Sequence, residues 1–398
     1  MNRRLRILSV IGDLGFGGDE NRLLALARSI NRDRFDHWIV TVNPIDPARA
    51  ESWAMLQQYR QAGVEVMQLQ KGRSSRIARF IQRIFQLCKL AERLDIDLID
   101  AHCQTAALLG TLAGVTTGRP RIVTQYHAHA LFAPRFWGVA EQFVFTCANL
   151  MITDSGVRAR EIQEAALFKR PEVAVIPNGV SPPRPVRNGH DVRRQLQLPE
   201  GEDVQVIGQI SALRQFKGQL ILLDAAKTVL ASNPNVVFLI VGYEKDEPGF
   251  KQRLEKRALE LGISDRVRIT AFPGSIGDIW SVIDIHVHAS QFDSLPNAII
   301  EGMSLGKPAV VTAVGGVPDA VTHSETGLVV PPGDDTALAA ALNQLLHDPQ
   351  FARKLGEAAL CRYRRRYREE LMARRLESCF VEVIRGCSAA SHLSNESA

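Results

Sequence analysis

Short apolar runs alternate with amphipathic helical patterns along almost the whole chain of 398 residues. In the first half, the predicted strands lie near residues 5–11, 37–42, 64–69, 97–101, 120–126, 149–153 and 173–176. Apolar strands that are connected through helices are typical of a parallel sheet covered on both faces. This alternation therefore predicts the α/β class with a doubly wound parallel sheet.

A proline-rich segment interrupts the alternation at residues 177–185, with the sequence Pro-Asn-Gly-Val-Ser-Pro-Pro-Arg-Pro. Proline cannot continue a helix or a central strand, so a domain boundary is expected there. The strand pattern then returns near 204–210, 236–241, 266–271, 284–288, 308–312 and 327–330. We therefore expect one Rossmann-like domain over 1–183, a linker over 184–203 and a second Rossmann-like domain over 204–369. Ligands of such sheets bind beyond the carboxyl ends of the strands, so two facing domains would form a central cleft.

Composition and cysteine spacing exclude several classes of protein. Hydrophobic residues make up 45% and charged residues 23% of the chain, as in ordinary globular domains. No apolar run approaches the roughly 18 residues of a membrane-spanning helix, and the run 7–11 is too short for a signal sequence. The six cysteines show no CxxC spacing, so we expect a reducing cytosol and neither a disulfide framework nor a zinc cluster. Residues 388–398 are expected to form a disordered tail.

The most informative segment is 288–308, where a strand pattern ends and a helix pattern begins. Pro296 suits the first position of that helix, and Asp293 or Ser294 can cap its exposed backbone N–H groups. Such a helix start attracts an anionic diphosphate. Glu301 would lie on the first turns, where a carboxylate can accept both hydroxyl protons of a ribose. The spacing of the two acids therefore favours a nucleotide-sugar site.

This segment resembles the acidic signature of retaining glycosyltransferases of family 4, also described as glycosyl transferases group 1, which have the GT-B fold. The family's usual pattern is a glutamate, seven residues and a second glutamate, and here Asp293 and Glu301 hold these positions. Residues 306–319 and 326–334 also resemble that family, in the same order and at similar spacing. The resemblance implies two Rossmann-like domains and a C-terminal helix, near 370–385, that packs back on the first domain.

The resemblance also implies roles for residues of the second domain. It places Glu301 on the ribose, Lys217 on the diphosphate as a catalytic cation, and Asp293 on hydroxyls of the donor sugar. The helix start that binds the donor comprises Ser294, Leu295, Pro296 and Asn297. Gln209 stands where the family has an arginine, so either Arg214 reaches the donor or the site has one cation fewer. The alternative for Lys217 is a solvated helix start without a role in binding.

In the first domain, Gly17, Gly18 and Glu20 match the family's Gly-Gly-x-Glu element. The resemblance implies that both glycines lie at the junction of donor and acceptor and that Glu20 lies on the acceptor side. The alternative is a tight turn that needs glycine only for its backbone freedom. His127 stands where the family often has a histidine that contacts the donor, so a catalytic role is expected for it, with His129 on the acceptor side.

We expect no metal ion and no other cofactor. His127 and His129 have the spacing of a metal pair, but two histidines without a third ligand are weak support for a metal site. The chain has no Asp-x-Asp motif in the expected strand context. A preorganised lysine or arginine can stabilise a departing nucleoside diphosphate without a metal, so the sequence predicts metal-independent transfer.

A basic segment at residues 71–89 contains six lysines or arginines and no acidic residue. Between 73 and 89 the apolar residues recur at helical spacing, and such a helix can lie on an anionic membrane surface. It can equally bury Ile77, Phe80, Ile81 and Ile84 against its own sheet, with the arginines in water. Nucleic-acid binding is not expected, because aromatic residues make up only 6% of the chain and no recognised motif accompanies the patch.

Together, these patterns predict a retaining glycosyltransferase that moves a hexose-type sugar from a nucleoside-diphosphate sugar to a hydroxyl of a glycan or lipid-linked acceptor. The expected place is the cytoplasm, including the inner face of the cell membrane. The resemblance suggests the synthesis of cell-surface polysaccharide, lipopolysaccharide, capsule or glycolipid. The alternatives are a nucleotide-sugar epimerase or hydrolase, and a non-catalytic nucleotide-sugar-binding protein of a polysaccharide assembly.

Overall fold

The fold is described from a computed structural model, which describes residues 3–15, 17–46, 49–70, 75–124, 135–199, 201, 203–244, 247–272 and 274–387. The chain divides into two compact units. The first unit consists of Met1–Gly179 and Glu369–Ala398, and the second consists of Val180–Arg368. The chain therefore leaves the first unit once and returns to it at its end.

The first unit is built on a sheet of seven parallel strands. The strands are β1 (Leu5–Ile11), β2 (Phe35–Thr41), β3 (Glu65–Gln68), β4 (Leu98–His102), β5 (Arg121–Thr124), β6 (Leu150–Thr153) and β7 (Val173–Val175). Their order in the sheet is β3-β2-β1-β4-β5-β6-β7. The order reverses between β1 and β4, which is the topological switch point where open α/β sheets bind their ligands.

Helices cover both faces of this sheet. They are α1 (Gly18–Ser29), α2 (Ala50–Gln61), α3 (Arg76–Arg93), α4 (Cys103–Thr117), α5 (Arg135–Cys147), α6 (Gly156–Ala165) and the C-terminal helix, α15 (Glu369–Ile384). Side chains alternate along β1, so Ile7 packs with Phe380 of α15, whereas Leu8 packs with Leu87 of α3. The C-terminal helix is thus part of the core of the first unit, and the ring of its Phe380 meets Phe35 edge-on.

Helix α3 carries the basic segment and differs from an ordinary sheet-covering helix. Phe80 and Ile84 pack partly against the core, as the sheet-burying interpretation requires. Ile77 and Ile81, however, are 75% and 60% exposed, and Phe85 is 58% exposed, so the expectation that Ile77 and Ile81 are buried is wrong. The three exposed side chains follow one another at intervals of four residues and form an outward apolar stripe.

The second unit is built on six parallel strands. They are β8 (Gln205–Ile210), β9 (Val236–Val241), β10 (Val267–Thr270), β11 (Ile285–His288), β12 (Ala309–Thr312) and β13 (Leu328–Val330), in the order β10-β9-β8-β11-β12-β13. The helices are α7 (Gly189–Gln195), α8 (Gln219–Ser232), α9 (Phe250–Glu260), α10 (Ile276–Val282), α11 (Asn297–Ser304), α12 (Val317–Ala320), α13 (Asp335–His347) and α14 (Pro349–Arg366). This unit is also doubly wound, and its order reverses between β8 and β11.

Residues 184–203, interpreted above as a linker, belong to the second unit instead. They contain α7, whose Val192 packs in one cluster with Trp280. The backbone N–H groups of Val186 and Arg187 both donate to the buried carboxylate of Asp278, at 2.7 and 3.0 Å. Burial raises the pKa of Asp278, but these donors and the Arg187 guanidinium outweigh it and hold that pKa below its usual range. The segment is therefore fixed to the second unit by core packing and by a satisfied buried charge.

Candidate active site

Lys217 and Asp293 meet at the carboxyl ends of β8 and β11, on either side of the switch point of the second sheet. Lys217 Nζ lies 2.5 Å from Asp293 Oδ2, and both side chains are mostly buried. Gly218 allows this approach, because its φ is +72° and a Cβ there would lie 1.8 Å from the carbonyl oxygen of Ala289. The turn after β8 can therefore press against the end of β11 only with glycine at this position.

Asp293 is held by several donors besides Lys217. His288 Nε2 lies 3.0 Å from Asp293 Oδ2, and the hydroxyl of Ser290 donates to the same oxygen at 3.2 Å. Burial raises the pKa of Asp293, but the hydrogen bond from His288 and the charge of Lys217 outweigh burial and hold the pKa far below its usual range. The carboxylate is therefore ionised, and it is fixed in position by groups from two loops.

The helix that follows Asp293 begins one residue later than expected. Pro296 is the N-cap of α11 and not its first residue, and it forms no side-chain hydrogen bond with the helix, so the expected cap at Asp293 is wrong. Asp293 Oδ1 instead accepts the N–H of Ser294 at 3.1 Å. The Leu295 side chain is buried in a core cluster, so of this residue only the backbone remains for contact with a ligand. The N-cap side chain thus satisfies none of the backbone N–H groups at the start of this helix.

Glu301 lies on α11 and accepts a hydrogen bond from the indole of Trp280. The distance from Trp280 Nε1 to Glu301 Oε2 is 2.8 Å. Burial raises the pKa of Glu301, and the hydrogen bond from Trp280 acts in the opposite direction without cancelling it. A carboxylate in this position is short of hydrogen-bond donors, and a pair of ligand hydroxyls would supply them.

Gln209 has an internal role in this structure. Its Nε2 donates to the carbonyl oxygen of Lys217 at 2.8 Å, and the residue is buried. The guanidinium of Arg214 lies 5.5 Å from the centroid of the Phe216 ring, and Lys217 Nζ lies 5.3 Å from the same centroid. Gln209 therefore shapes the turn that carries Lys217, while Arg214 lies at the same aromatic ring as Lys217.

In the first unit, the Gly-Gly-x-Glu element forms the start of α1. Gly17 is the N-cap and Gly18 is the first helical residue. A Cβ on Gly17 would lie 2.2 Å from Glu20 Oε2, so the missing side chain at this position makes room for the Glu20 carboxylate. His127 and His129 lie outside the described residues. The expected catalytic and acceptor-side roles of these histidines stay predictions.

A buried polar network lies below the carboxyl ends of the first sheet, and the sequence interpretation missed it. Asp100 accepts from His102 Nε2 at 2.9 Å and from the Thr124 hydroxyl at 2.6 Å, and Ser9 Oγ lies 2.9 Å from His37 Nε2. Burial raises the pKa of Asp100, but His102 and the hydrogen bonds outweigh it and lower that pKa, whereas burial lowers the pKa of His37 to about 4. The signal for this network was the polar pair at 100 and 102 on an otherwise apolar strand.

Within the part of the chain that the structure describes, no group of three histidine, cysteine, aspartate or glutamate side chains could hold a metal ion. All six cysteines are free thiols. The second unit offers a different chemistry, namely a fixed lysine, an ionised aspartate, the start of helix α11 and a partly buried glutamate. Together these groups can bind an anionic diphosphate that carries hydroxyl-rich groups on both sides.

Two family models match the chain. The model of glycosyl transferases group 1 matches residues 192–361, and that of Glycosyltransferase Family 4 matches residues 16–184. The chain belongs to this glycosyltransferase family. The first match contains all the donor-binding candidates of the second unit, and the second match contains Gly17, Gly18 and Glu20.

Curated relatives of this chain are moderately similar to it in sequence. The D-inositol 3-phosphate glycosyltransferase of Corynebacterium urealyticum is 28% identical over 233 residues, which is 56% of this chain and 54% of that protein. The chain thus spans about half the length of that relative. The 2-deoxystreptamine N-acetyl-D-glucosaminyltransferase of Streptomyces fradiae is 27% identical over 300 residues, which is 71% of this chain and 70% of that protein.

A solved structure supports the fold. Alr3699/HepE from Anabaena, crystallised in complex with UDP, has a TM-score of 0.80 at 23% identity, covering 95% of this chain and all of that one. The expected GT-B fold, with two Rossmann-like parallel-sheet domains, is confirmed by this likeness and by the two sheets described above.

Proposed function

We propose that this glycosyltransferase moves a hexose-type sugar from a nucleoside-diphosphate sugar to a hydroxyl acceptor with retention at the anomeric carbon. The observation that carries this proposal is the ionised Asp293 held by Lys217 and His288 beside the start of α11, with the partly buried Glu301 on the same helix. This arrangement offers one partner to each part of a donor: a carboxylate to the ribose, a cation to the diphosphate and a second carboxylate to the sugar.

In this proposal Lys217 supplies the positive charge that a departing nucleoside diphosphate needs. Negative charge develops on the diphosphate as the glycosidic bond breaks, and a fixed ammonium group stabilises it without costly reorganisation. Asp293 holds Lys217 in place before the donor binds. The backbone N–H groups in the first turn of α11 add further donors, and Arg214, which lies at the same Phe216 ring as Lys217, supplies a second cation. Transfer then needs no metal ion.

Asp293 contacts hydroxyls of the donor sugar in this proposal, one methylene short of the family's glutamate. On the first unit, Gly17 and Gly18 let the backbone approach the reacting groups, and Glu20 and His129 recognise the acceptor. His127 contacts the donor sugar or its diphosphate. Exclusion of water from the bound donor would then favour transfer over hydrolysis.

We further propose an acceptor in cell-surface polysaccharide or glycolipid synthesis, reached at the inner face of the membrane. Within the described residues, no helix is both long enough and apolar enough to cross a bilayer. The support for surface attachment is the outward stripe of Ile77, Ile81 and Phe85 on α3, with Arg76 and Lys89 also exposed. Such a helix can insert its apolar side chains among lipid tails while its basic groups meet anionic headgroups.

A thermal-shift panel of UDP-, GDP-, ADP- and TDP-sugars tests the donor site. A ligand that binds only the folded state raises the melting temperature, by an amount that grows with its concentration relative to Kd. UDP-glucose is the first candidate, because a related structure from Anabaena was determined with that molecule. We expect one nucleotide class to stabilise the wild type and to have no effect on Glu301→Ala. If none of the four classes stabilises the wild type, the donor assignment is wrong.

Product analysis separates the proposed transfer from the two alternatives. Transfer releases a nucleoside diphosphate and a glycosylated product only when an acceptor is present, and the anomeric proton of the product reports retention. An epimerase or hydrolase would convert the donor without an acceptor. Tight donor binding without turnover across a panel of polyol, glycan and lipid-linked acceptors would instead support the non-catalytic alternative. Retained turnover after EDTA treatment is the expected result for metal independence.

A further inference from the structure

We propose that Trp280 is a positioning residue for the donor nucleotide, because its indole N–H fixes the Glu301 carboxylate in the orientation that binds the ribose. This inference rests on the proposed function, and in particular on Glu301 as the ribose-binding residue. The bond that carries it joins Trp280 Nε1 to Glu301 Oε2 at 2.8 Å. Trp280 lies on α10 and Glu301 on α11, so the bond connects two separate helices.

Trp280 is held rigidly by its surroundings. Its side chain is 1% exposed and packs in the core cluster that contains Ile279. The ring of His286, on β11, meets the indole at 68° with a centroid distance of 5.0 Å. A Cβ at Gly302 would lie 3.1 Å from the indole and 3.3 Å from His286 Nδ1, so glycine beside Glu301 lets α11 lie directly against both rings. The indole N–H is therefore a fixed reference point for the carboxylate.

A fixed carboxylate matters because a glutamate has three rotatable side-chain bonds. Binding both ribose hydroxyls requires one conformation of these bonds, and a conformation that is fixed before binding reduces the entropy lost on binding. The indole is suited to this role because it only donates and carries no charge. It orients one oxygen of Glu301 without neutralising the carboxylate, whereas a lysine or arginine would compete with the ribose for it.

The same bond also limits how readily Glu301 takes up a proton. Burial raises the pKa of Glu301, and among the described residues Trp280 is the one group that lowers it. His286, which packs on Trp280, stays neutral because burial lowers its pKa to about 3. Loss of the indole N–H would therefore raise the pKa of Glu301 further, and a protonated carboxyl group accepts the two ribose hydroxyls less well.

The test is Trp280→Phe, which keeps an aromatic ring against His286 and removes the N–H. The dissociation constant of the stabilising nucleotide is measured by calorimetry between pH 5.5 and 9, together with KM and kcat. We expect the dissociation constant and KM to rise about tenfold, with kcat within about twofold of the wild type. The pH below which nucleotide affinity falls, here called the acid limb of nucleotide binding, should move to a higher value. Trp38→Phe, in the first unit, is the matched control and should change none of these quantities.

A second variant separates the effect of losing the N–H group from the effect of losing side-chain packing. Incorporation of 3-benzothienylalanine at position 280 preserves the shape of the indole but replaces N–H by sulfur, and it should reproduce the loss of affinity. The substitutions Trp280→Phe and Glu301→Gln should also be strongly non-additive, because in Glu301→Gln the indole N–H no longer has a ribose-binding carboxylate to orient. If either variant at position 280 lowers the melting temperature without changing the dissociation constant or the acid limb, Trp280 is only structural and the inference is overturned.

The failure of this inference can be told apart from a failure of the proposed function. Glu301→Gln alone tests the proposed function, since unchanged nucleotide affinity in that variant would show that Glu301 is not part of the donor site. If Glu301→Gln weakens binding while both variants at position 280 bind normally, the donor site stands and only the role of Trp280 is wrong.

Discussion

Replacement of Lys217 by methionine should separate a catalytic cation from a merely structural ion pair. Lys217 and Asp293 are 17% and 14% exposed, so solvent screens their interaction weakly. A hydrogen bond between charged groups contributes about 1.5–3 kcal/mol, and Asp293 keeps His288 and Ser290 as partners. We therefore expect Lys217→Met to lower the free energy of unfolding by about 2 kcal/mol, which corresponds to about 4–8 °C in the melting temperature of a unit of this size.

The loss of turnover should be larger than the loss of stability. Removal of one preorganised group that stabilises developing charge costs about 10²–10³-fold in kcat. The decisive comparison is the double variant Lys217→Met with Asp293→Asn, which removes both charges. Since paired removal leaves no uncompensated buried charge, the free energy of unfolding should return to within about 1 kcal/mol of the wild type, while turnover stays low. Lys217→Arg, which keeps the charge, is the matched control.

The assays are thermal unfolding without ligand, followed by circular dichroism, and initial rates of nucleoside diphosphate release with donor and acceptor. The pKa of Asp293 is depressed in the folded state, so its stabilisation is fully present above the unfolded pKa of about 3.9 and declines only at lower pH. The stability difference between wild type and Asp293→Asn should accordingly stay constant from pH 5 to 9. Turnover within about threefold of the wild type in Lys217→Met would refute the role of Lys217 in catalysis.

Three further predictions follow from the described contacts. The pKa of Glu301 is raised in the folded state, so its ionised form is destabilising once the pH exceeds that pKa. Glu301→Gln should therefore raise the melting temperature at pH 8 and have less effect on it near pH 4. The same variant should weaken donor binding. A lower melting temperature at pH 8 would contradict this sign. Gly218→Ala should destabilise the second unit by several kcal/mol, because its Cβ would collide with the carbonyl oxygen of Ala289; a melting temperature equal to that of the wild type would disprove the close approach. The double variant Ile77→Ser and Ile81→Ser should lose most of its co-flotation with vesicles rich in phosphatidylglycerol and keep its melting temperature, and unchanged flotation would rule out this stripe as the membrane contact.

The strand pattern was the most predictive property of the sequence. All thirteen strands of the two sheets lie where apolar runs predicted them, and within the described residues their ends differ by at most two residues, as at the start of β2. Buried parallel strands are apolar on both faces, so they are recognisable without knowledge of their neighbours. The family signature then placed Lys217 and Asp293 in one site, because the carboxyl ends of β8 and β11 are neighbours in such a sheet.

Features that depend on contacts distant in sequence were not predictable from local patterns. Asp293 does not cap α11, because its two oxygens bond to Lys217, a residue 76 positions away, and to the backbone N–H of Ser294. The segment 184–203 was interpreted as a linker because prolines interrupt the strand and helix pattern there, whereas Asp278 and the core of the second unit help to hold the segment in place. Thr124, which donates to Asp100, and Glu301, which accepts from Trp280, likewise lie on other strands or helices than these partners, so no spacing along the chain could indicate the two contacts.

The return of the chain to its first unit has a consequence for biosynthesis. Met372 and Phe380 of α15 lie in the same core as Ile7 and Phe35, but the ribosome makes them only after the whole second unit. The second unit is continuous in sequence and can complete its core during translation. The first unit instead keeps an apolar surface exposed until α15 has been made. A nascent chain stalled before residue 369 should consequently recruit holdase chaperones through its N-terminal portion and become protease-resistant there only after release.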